Sequence, residues 1–237
     1  MSINQTEKGG APGRFYGYKS LGIIQNEAEK EAYNVATGRT ARVGDEKFSA
    51  GKTYIGDPNP DFTYSLCAEF HWKRWSIAAG LTGSQGNDVY NLVRQRISSQ
   101  TEANKYCNLL ADCITFAQVK TDANGNDYVV NASTQMPRPD YSATGGVDAA
   151  VVSDRFVEDG SYLKLQHLSL AYEWTAKKKK KWNINQLKAK FSVENLHTFT
   201  KYSGYDPENP GCAIRQGVDE GRYPSPRTYR FSVSVKF

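Results

Sequence analysis

The chain has 237 residues, a net charge of +5, 39% hydrophobic residues, 15 tyrosines and 4 tryptophans. Its mean hydropathy of -0.64 resembles that of a water-soluble domain, but transmembrane β-barrels look the same, because half of every strand and all of every loop is polar. No run approaches the roughly 18 apolar residues of a membrane helix, which excludes a helical span, and Met1 to Lys8 has neither the basic start nor the apolar core of a signal peptide.

Residues 1–61 are rich in Gly, Asn, Asp and Lys and read as a long loop, with a short helical candidate at Asn26 to Asn34 and a dense turn at Gly56-Asp57-Pro58-Asn59-Pro60. The first strand follows, with Tyr64, Leu66, Ala68, Phe70 and Trp72 on one face and Ser65, Cys67, Glu69 and His71 on the other. Lys73-Arg74 makes a tight turn into a second strand, in which Trp75, Ile77, Ala79 and Leu81 alternate with Ser76, Ala78, Gly80 and Thr82. Trp72 and Trp75 flank that basic turn as girdle residues do at a membrane surface.

A second long polar segment occupies 85–160. Val89, Leu92, Val93 and Ile97 give its start helical spacing, and turn formers punctuate the rest. The third strand spans about 161–174. Leu168, Leu170, Tyr172 and Trp174 form its later apolar face, while Leu163 and Leu165 stand in the opposite phase, which predicts a bulge or a protein-covered upper end. The fourth strand, 187–199, sets Leu187, Ala189, Phe191 and Val193 against Lys188, Lys190, Ser192 and Glu194. A third loop, 200–226, precedes a last strand at 227–237, in which Tyr229, Phe231, Val233, Val235 and Phe237 alternate with Arg230, Ser232, Ser234 and Lys236.

Long and short connections alternate strictly along the chain, as in outer-membrane barrels with short periplasmic turns and long outside loops. The opposite strand faces, with Glu69, His71, Glu173, Lys188, Lys190, Glu194, Arg230 and Lys236, then line a polar lumen. Five strands are too few to close a barrel, and an open sheet edge cannot sit in lipid. The chain is therefore expected either to be a piece of a larger antiparallel barrel or not to span a membrane.

Other chemistry is sparse. Cys67, Cys107, Cys113 and Cys212 have no metal spacing, and Cys107 and Cys113, six apart, suit a disulfide in an oxidising space or two free thiols equally. The run Lys177 to Lys181 can attract nucleic acid or anionic lipid, but suits a solvated turn better. No aromatic-interleaved basic groove accompanies it, so no nucleic-acid partner is expected. His71, His167 and His197 stand in no catalytic or metal motif, and Glu158 and Asp159 belong to a turn. Neither an enzyme nor a cofactor is expected.

Several segments, in order, resemble the C-terminal portion of the SusC/RagA family of TonB-linked outer-membrane transporters. They are Gly13 to Ile23, Tyr54 to Tyr64, Gly83 to Asn91, Phe156 to Leu165 followed by Ser169-Leu170-Ala171-Tyr172, Glu194-Asn195-Leu196, Lys201 to Glu208, and Tyr223 to Tyr229. The resemblance implies a roughly 22-stranded barrel with an internal plug that imports glycans or peptides. The implied partners are the rest of the barrel and its plug, a SusD-like surface lipoprotein, the TonB complex through a missing N-terminal part, outer-membrane lipids and the barrel-assembly machinery, for which Phe237 is part of the signal. The acidic stretch before the family's hairpin is shortened here to Gly44 to Gly51.

Within the matched segments, the glycines at 17, 22, 56, 83, 86 and 160 are expected in turns or at positive φ. Tyr16, Tyr18, Tyr90, Tyr202 and Tyr205 are the loop aromatics expected either to meet substrate or to pack loop on loop. A stand-alone β-rich module that binds glycans or protein, and a truncated product without function, are the alternatives to a transporter segment.

Overall fold

A computed structural model describes residues 2–98, 108–139, 151–175, 184–208 and 215–237. In chain order the elements are β1 (Asn4–Gln5), β2 (Arg14–Gly17), β3 (Ser20–Ile23), α1 (Glu27–Thr37), β4 (Glu46–Phe48), β5 (Thr53–Gly56), β6 (Phe62–Trp72), β7 (Trp75–Gln85), β8 (Asp88–Asn91), α2 (Leu92–Ser98), β9 (Val119–Thr121), β10 (Asp127–Val129), β11 (Val157–Asp159), β12 (Tyr162–Thr175), β13 (Gln186–Thr200), β14 (Val218–Asp219) and β15 (Thr228–Lys236). They divide between two compact units, one of Met1–Asn59, Asp88–Glu158 and Asn209–Arg222, the other of Pro60–Asn87, Asp159–Glu208 and Tyr223–Phe237.

The second unit is one antiparallel five-stranded sheet in the order β15-β13-β12-β7-β6. Its register explains the phase reversal in the third strand. Leu165 pairs with Leu81 and His167 with Gly80, so β12 holds one extra residue against β7. Leu163 and Leu165 thereby return to the face of Leu168 and Leu170, and the apolar face is continuous across the bulge.

A further residue is inserted in β13, where His167 pairs with Glu194 and Leu165 with His197. There Asn195 takes φ 55°, a left-handed conformation that Asn tolerates better than most side chains. Its Nδ2 donates to the Pro226 carbonyl at 3.0 Å.

Some glycines have a different use from the expected one. Gly22 and Gly86 do adopt positive φ, whereas Gly17, Gly56 and Gly83 lie in strands at points of close approach. At Gly83 a Cβ would stand 2.3 Å from the ring of Tyr64 and 2.7 Å from the Tyr162 carbonyl, so the cross-strand tyrosine covers the missing side chain.

The first unit corrects the reading of residues 1–61 and 85–160 as long loops, because both contribute to a packed body. The reason is visible in side chains that are far apart in sequence. Ile3, Phe15, Tyr90, Leu92, Val152, Phe156 and Val218 form one buried cluster, and Ile23, Ile24, Val43, Ala117 and Val129 form a second. Short strands tie the segments together: β1-β2-β5 and β11-β8-β14 are three-stranded, while β3-β4 and β9-β10 are pairs.

The helical candidate at Asn26 to Asn34 is realised as α1. Asn26 Oδ1 accepts from the Glu29 N–H at 2.9 Å, and Glu29 in return accepts from the Gln25 N–H at 2.6 Å, a capping arrangement. Gly38, at φ 68°, ends the helix. The helical spacing that began at Val89 starts late, since Asp88–Asn91 is a strand and the helix begins at Leu92. Tyr90 pairs with Val218 and Asn91 with Asp219, long-range contacts that local spacing does not show.

Candidate functional site

The two faces of the five-stranded sheet differ chemically along every strand. Phe62, Leu66, Phe70, Trp72, Ile77, Leu170, Phe191, Tyr229, Phe231 and Val233 are large apolar residues exposed on one face, with Phe231 70% and Phe70 63% exposed. Cross-strand pairing sets them in rows: Phe70 with Ile77, Ile77 with Leu170, Leu170 with Phe191, Phe191 with Phe231. Aromatic residues mark both ends of the rows. Trp72, Trp75 and Tyr172 stand by the 73–74 turn, with the Trp75 and Tyr172 rings 4.7 Å apart, and Phe62, Tyr64, Phe199 and Tyr229 stand at the other end. An eleven-residue strand such as β6 rises about 36 Å, or about 25 Å along a membrane normal at a 45° tilt, the height of the apolar band of a spanning barrel.

The opposite face is polar and encloses a concavity of about 480 Å³ lined by Glu69, His71, His167, Glu173, Lys188 and Lys190 among others. The sheet register puts Glu173 directly across from Lys188. His71 Nε2 lies 3.3 Å from Glu69, and His71 Nδ1 lies 3.1 Å from Ser76 Oγ. Glu173 accepts from Gln186 Nε2. Glu194 and Arg230 approach to 3.8 Å across β13 and β15, and Lys236 pairs with Gln186 at the strand end. All eight residues expected on a lumen face thus share the polar face, six of them on the middle and β6 strands and two on β15.

One member of this face was not singled out from the sequence. Lys164 is almost fully buried on β12 and pairs with Glu208. The signal was the polar residue between Leu163 and Leu165, but its partner lies 44 positions away in a segment without strand periodicity. Cys67 is exposed on β6. Its Sγ is chemically available, and no group of three or more His, Cys, Asp or Glu residues placed to hold a metal occurs among the described residues.

Burial separates the five loop aromatics. Tyr90 is 0% exposed, with Phe15 and Phe156 edge-on at 5.9 and 6.3 Å, and its hydroxyl bonds Gln95 at 3.0 Å. Burial pushes its hydroxyl pKa well up. Tyr90 is therefore a core residue here, with neither ring face open to a ligand. Tyr202 is also buried, at 6% exposure. Tyr16 and Tyr18 are half-buried: Tyr16 meets Tyr54 at 5.3 Å, and the Arg39 guanidinium lies 4.5 Å over the Tyr18 ring. Tyr205, 76% exposed, has the most open ring of the five.

In the first unit a recess is lined by the ion pair of Glu46, buried, with Arg155 at 2.9 Å, and elsewhere in that unit Asp45 lies 3.2 Å from Arg138. Each pair joins segments about a hundred residues apart, which local spacing cannot signal. Cys113 is buried, with Sγ directed at the Ser98 carbonyl at 3.6 Å. Cys107, Cys212 and the lysine run at 177–181 lie outside the described residues.

Comparison with known proteins points to one class. The chain is 28% identical to TonB-dependent receptor P3 of Formosa agariphila over 246 residues, which covers 97% of the chain and 22% of the receptor. It is 26% identical to TonB-dependent receptor P26 of the same organism over 239 residues, covering 94% of the chain and 22% of that receptor. The chain thus spans less than a quarter of the curated relatives it matches. Its fold matches part of the RagAB peptide importer in the closed-closed state with a TM-score of 0.61 at 18% identity, covering 96% of this chain and 23% of that one. No family model matches. The relatives are receptors and an importer rather than enzymes.

Proposed function

We propose that this chain is the C-terminal barrel segment of a SusC/RagA-like TonB-dependent outer-membrane transporter that takes up glycans or peptides. The observation that carries this reading is the five-stranded sheet itself, apolar and exposed on one face and polar on the other. A soluble sheet buries its apolar face; this one leaves it open, as lipid contact requires.

Among the described residues, β6 and β15 each pair on one side only. In lipid every unpaired backbone group costs several kcal/mol, so both edges need neighbouring strands. Those neighbours are the remaining strands of the barrel, which encloses a plug. Glu69, His71, Glu173, Lys188, Lys190, Glu194, Arg230 and Lys236 then face the lumen. Phe237 is read by the barrel-assembly machinery.

Tyr16, Tyr18 and Tyr205 are the aromatics left to meet substrate or a SusD-like surface lipoprotein. Energy coupling to the TonB complex resides outside this segment. The test is fractionation of cells that express the chain from its own locus. The expected result is sedimentation with the outer membrane and extraction only by detergent, with heat-modifiable migration of the assembled barrel. A soluble, cooperatively folding monomer without detergent contradicts it.

A further inference from the structure

The two ends of the sheet carry opposite charge. At the end where long segments leave, Asp61, Asp159, Asp206 and Glu208 flank the strands, with Lys164, Lys201 and Arg227 as the cations. At the other end lies the 73–74 turn, with a lysine, an arginine and no carboxylate, and the sequence between β12 and β13, 176–185, also contains lysines and no carboxylate.

The 73–74 turn has further features of an anion ligand. Lys73 takes φ 56°, a conformation for which two-residue hairpin loops favour Gly, Asn or Asp. A long cation is kept there against local preference. Its Nζ lies 4.8 Å over the Trp72 ring, and Trp72 and Trp75 pair across the turn with both rings exposed. Among the described residues, neither Lys73 nor Arg74 is in an ion pair, although both border the polar-face concavity with Glu69 and Glu173; Glu69 is engaged with His71, and Glu173 with Gln186 through its side chain and with the Arg74 carbonyl through its N–H.

We propose that this turn is a binding site for the phosphate of an anionic phospholipid headgroup, with Lys73 and Arg74 as its ligands and Trp72 and Trp75 seated at the interface beneath it. Exposed tryptophans favour the water-lipid boundary and basic side chains there attract anionic lipid, which selects a lipid phosphate over one free in solution. The inference rests on the reading that the sheet spans a bilayer.

Flotation of the barrel reconstituted from this chain and its remaining strands, with vesicles of phosphatidylcholine alone or with phosphatidylglycerol, tests both and separates them. Expected is binding to both, about tenfold tighter with phosphatidylglycerol, a gain that high salt abolishes. In a background with Lys177 to Lys181 replaced by Gln, the double variant Lys73→Gln, Arg74→Gln should lose most of that gain while binding phosphatidylcholine as before, and heat-modifiable migration checks that it folds. Equal binding to the two vesicles, or a gain that the double variant retains, overturns the site and leaves the spanning reading intact. Binding to neither overturns the spanning reading. Equally tight, variant-sensitive capture of a DNA oligomer without vesicles would mean a general polyanion surface and would overturn the lipid assignment.

Discussion

The two units treat aromatic side chains in opposite ways. In the first, Phe15 and Tyr90 are fully buried among residues from distant segments; in the second, Phe231 and Phe237 are 70% and 76% exposed in an ordered strand or at its end. On the proposed reading each region is matched to a solvent. A body in water hides its rings, whereas a sheet in hydrocarbon gains nothing by hiding them.

The largest expected break in this contrast comes from paired truncations. Phe15→Ala removes a fully buried ring and should destabilise the first unit by about 3–5 kcal/mol, read as faster amide exchange at Val89 and Val218. Phe231→Ala, measured in lipid, should cost less, about 1.5–2 kcal/mol, because the ring's transfer out of water is lost but no cavity opens between packed residues. Equal costs would erase the distinction between the units.

Next is a charge placed on either face of one strand. Leu66→Arg, on the exposed apolar face near the middle of β6, should cost about 2–4 kcal/mol in urea titrations of the membrane-inserted barrel. Ser65→Arg, one residue away on the polar face, should cost little, since water reaches it. Similar losses at both positions would place the sheet outside lipid.

A smaller effect tests the bulge that brings β13 into register. Asn195→Ala forces a β-carbon without a compensating hydrogen bond into φ 55° and should cost about 1–2 kcal/mol. Asn195→Gly should recover most of that loss, which separates backbone conformation from the bond to Pro226.

The smallest effect concerns pH in the first unit. Burial works to raise the Glu29 pKa, but the hydrogen bond from Lys47 and the Gln25 N–H outweigh it, so the carboxyl is held below the usual range. A depressed pKa in the folded state contributes stability that is complete above the unfolded value, about 4.3, and is lost as pH falls through the folded one. The protection of the α1 amides, taken relative to their intrinsic exchange rate at each pH, should therefore fall as pH drops below about 4, and Glu29→Gln should remove that dependence.

Legibility in the sequence followed the range of the interactions. Period-two alternation made the sheet strands readable, since each strand's facing is set locally by Phe70 and His71 or by Phe231 and Ser232. Even the bulge in β12 left a mark in the reversed phase of Leu163 and Leu165. The body built from residues 1–59, 88–158 and 209–222 left almost none. Its core joins Phe15, Tyr90, Phe156 and Val218, and no local period connects positions so far apart. For Tyr90 the sequence left substrate contact and loop packing both open, because its long-range partners Phe15 and Phe156 are not visible locally. The bulge at Asn195 was signalled only by residue type.

The central claim is that the apolar face of the sheet lies against lipid and the opposite face against water. Its most direct test is a spin-label scan along β15, from Tyr229 to Lys236, in a cysteine-free background reconstituted with the remaining barrel. Oxygen accessibility should peak at 229, 231, 233 and 235, and accessibility to a water-soluble nickel chelate should peak at 230, 232, 234 and 236. A profile without period two, or one with the chelate reaching Phe231 and Val233 as readily as Ser232, would contradict it.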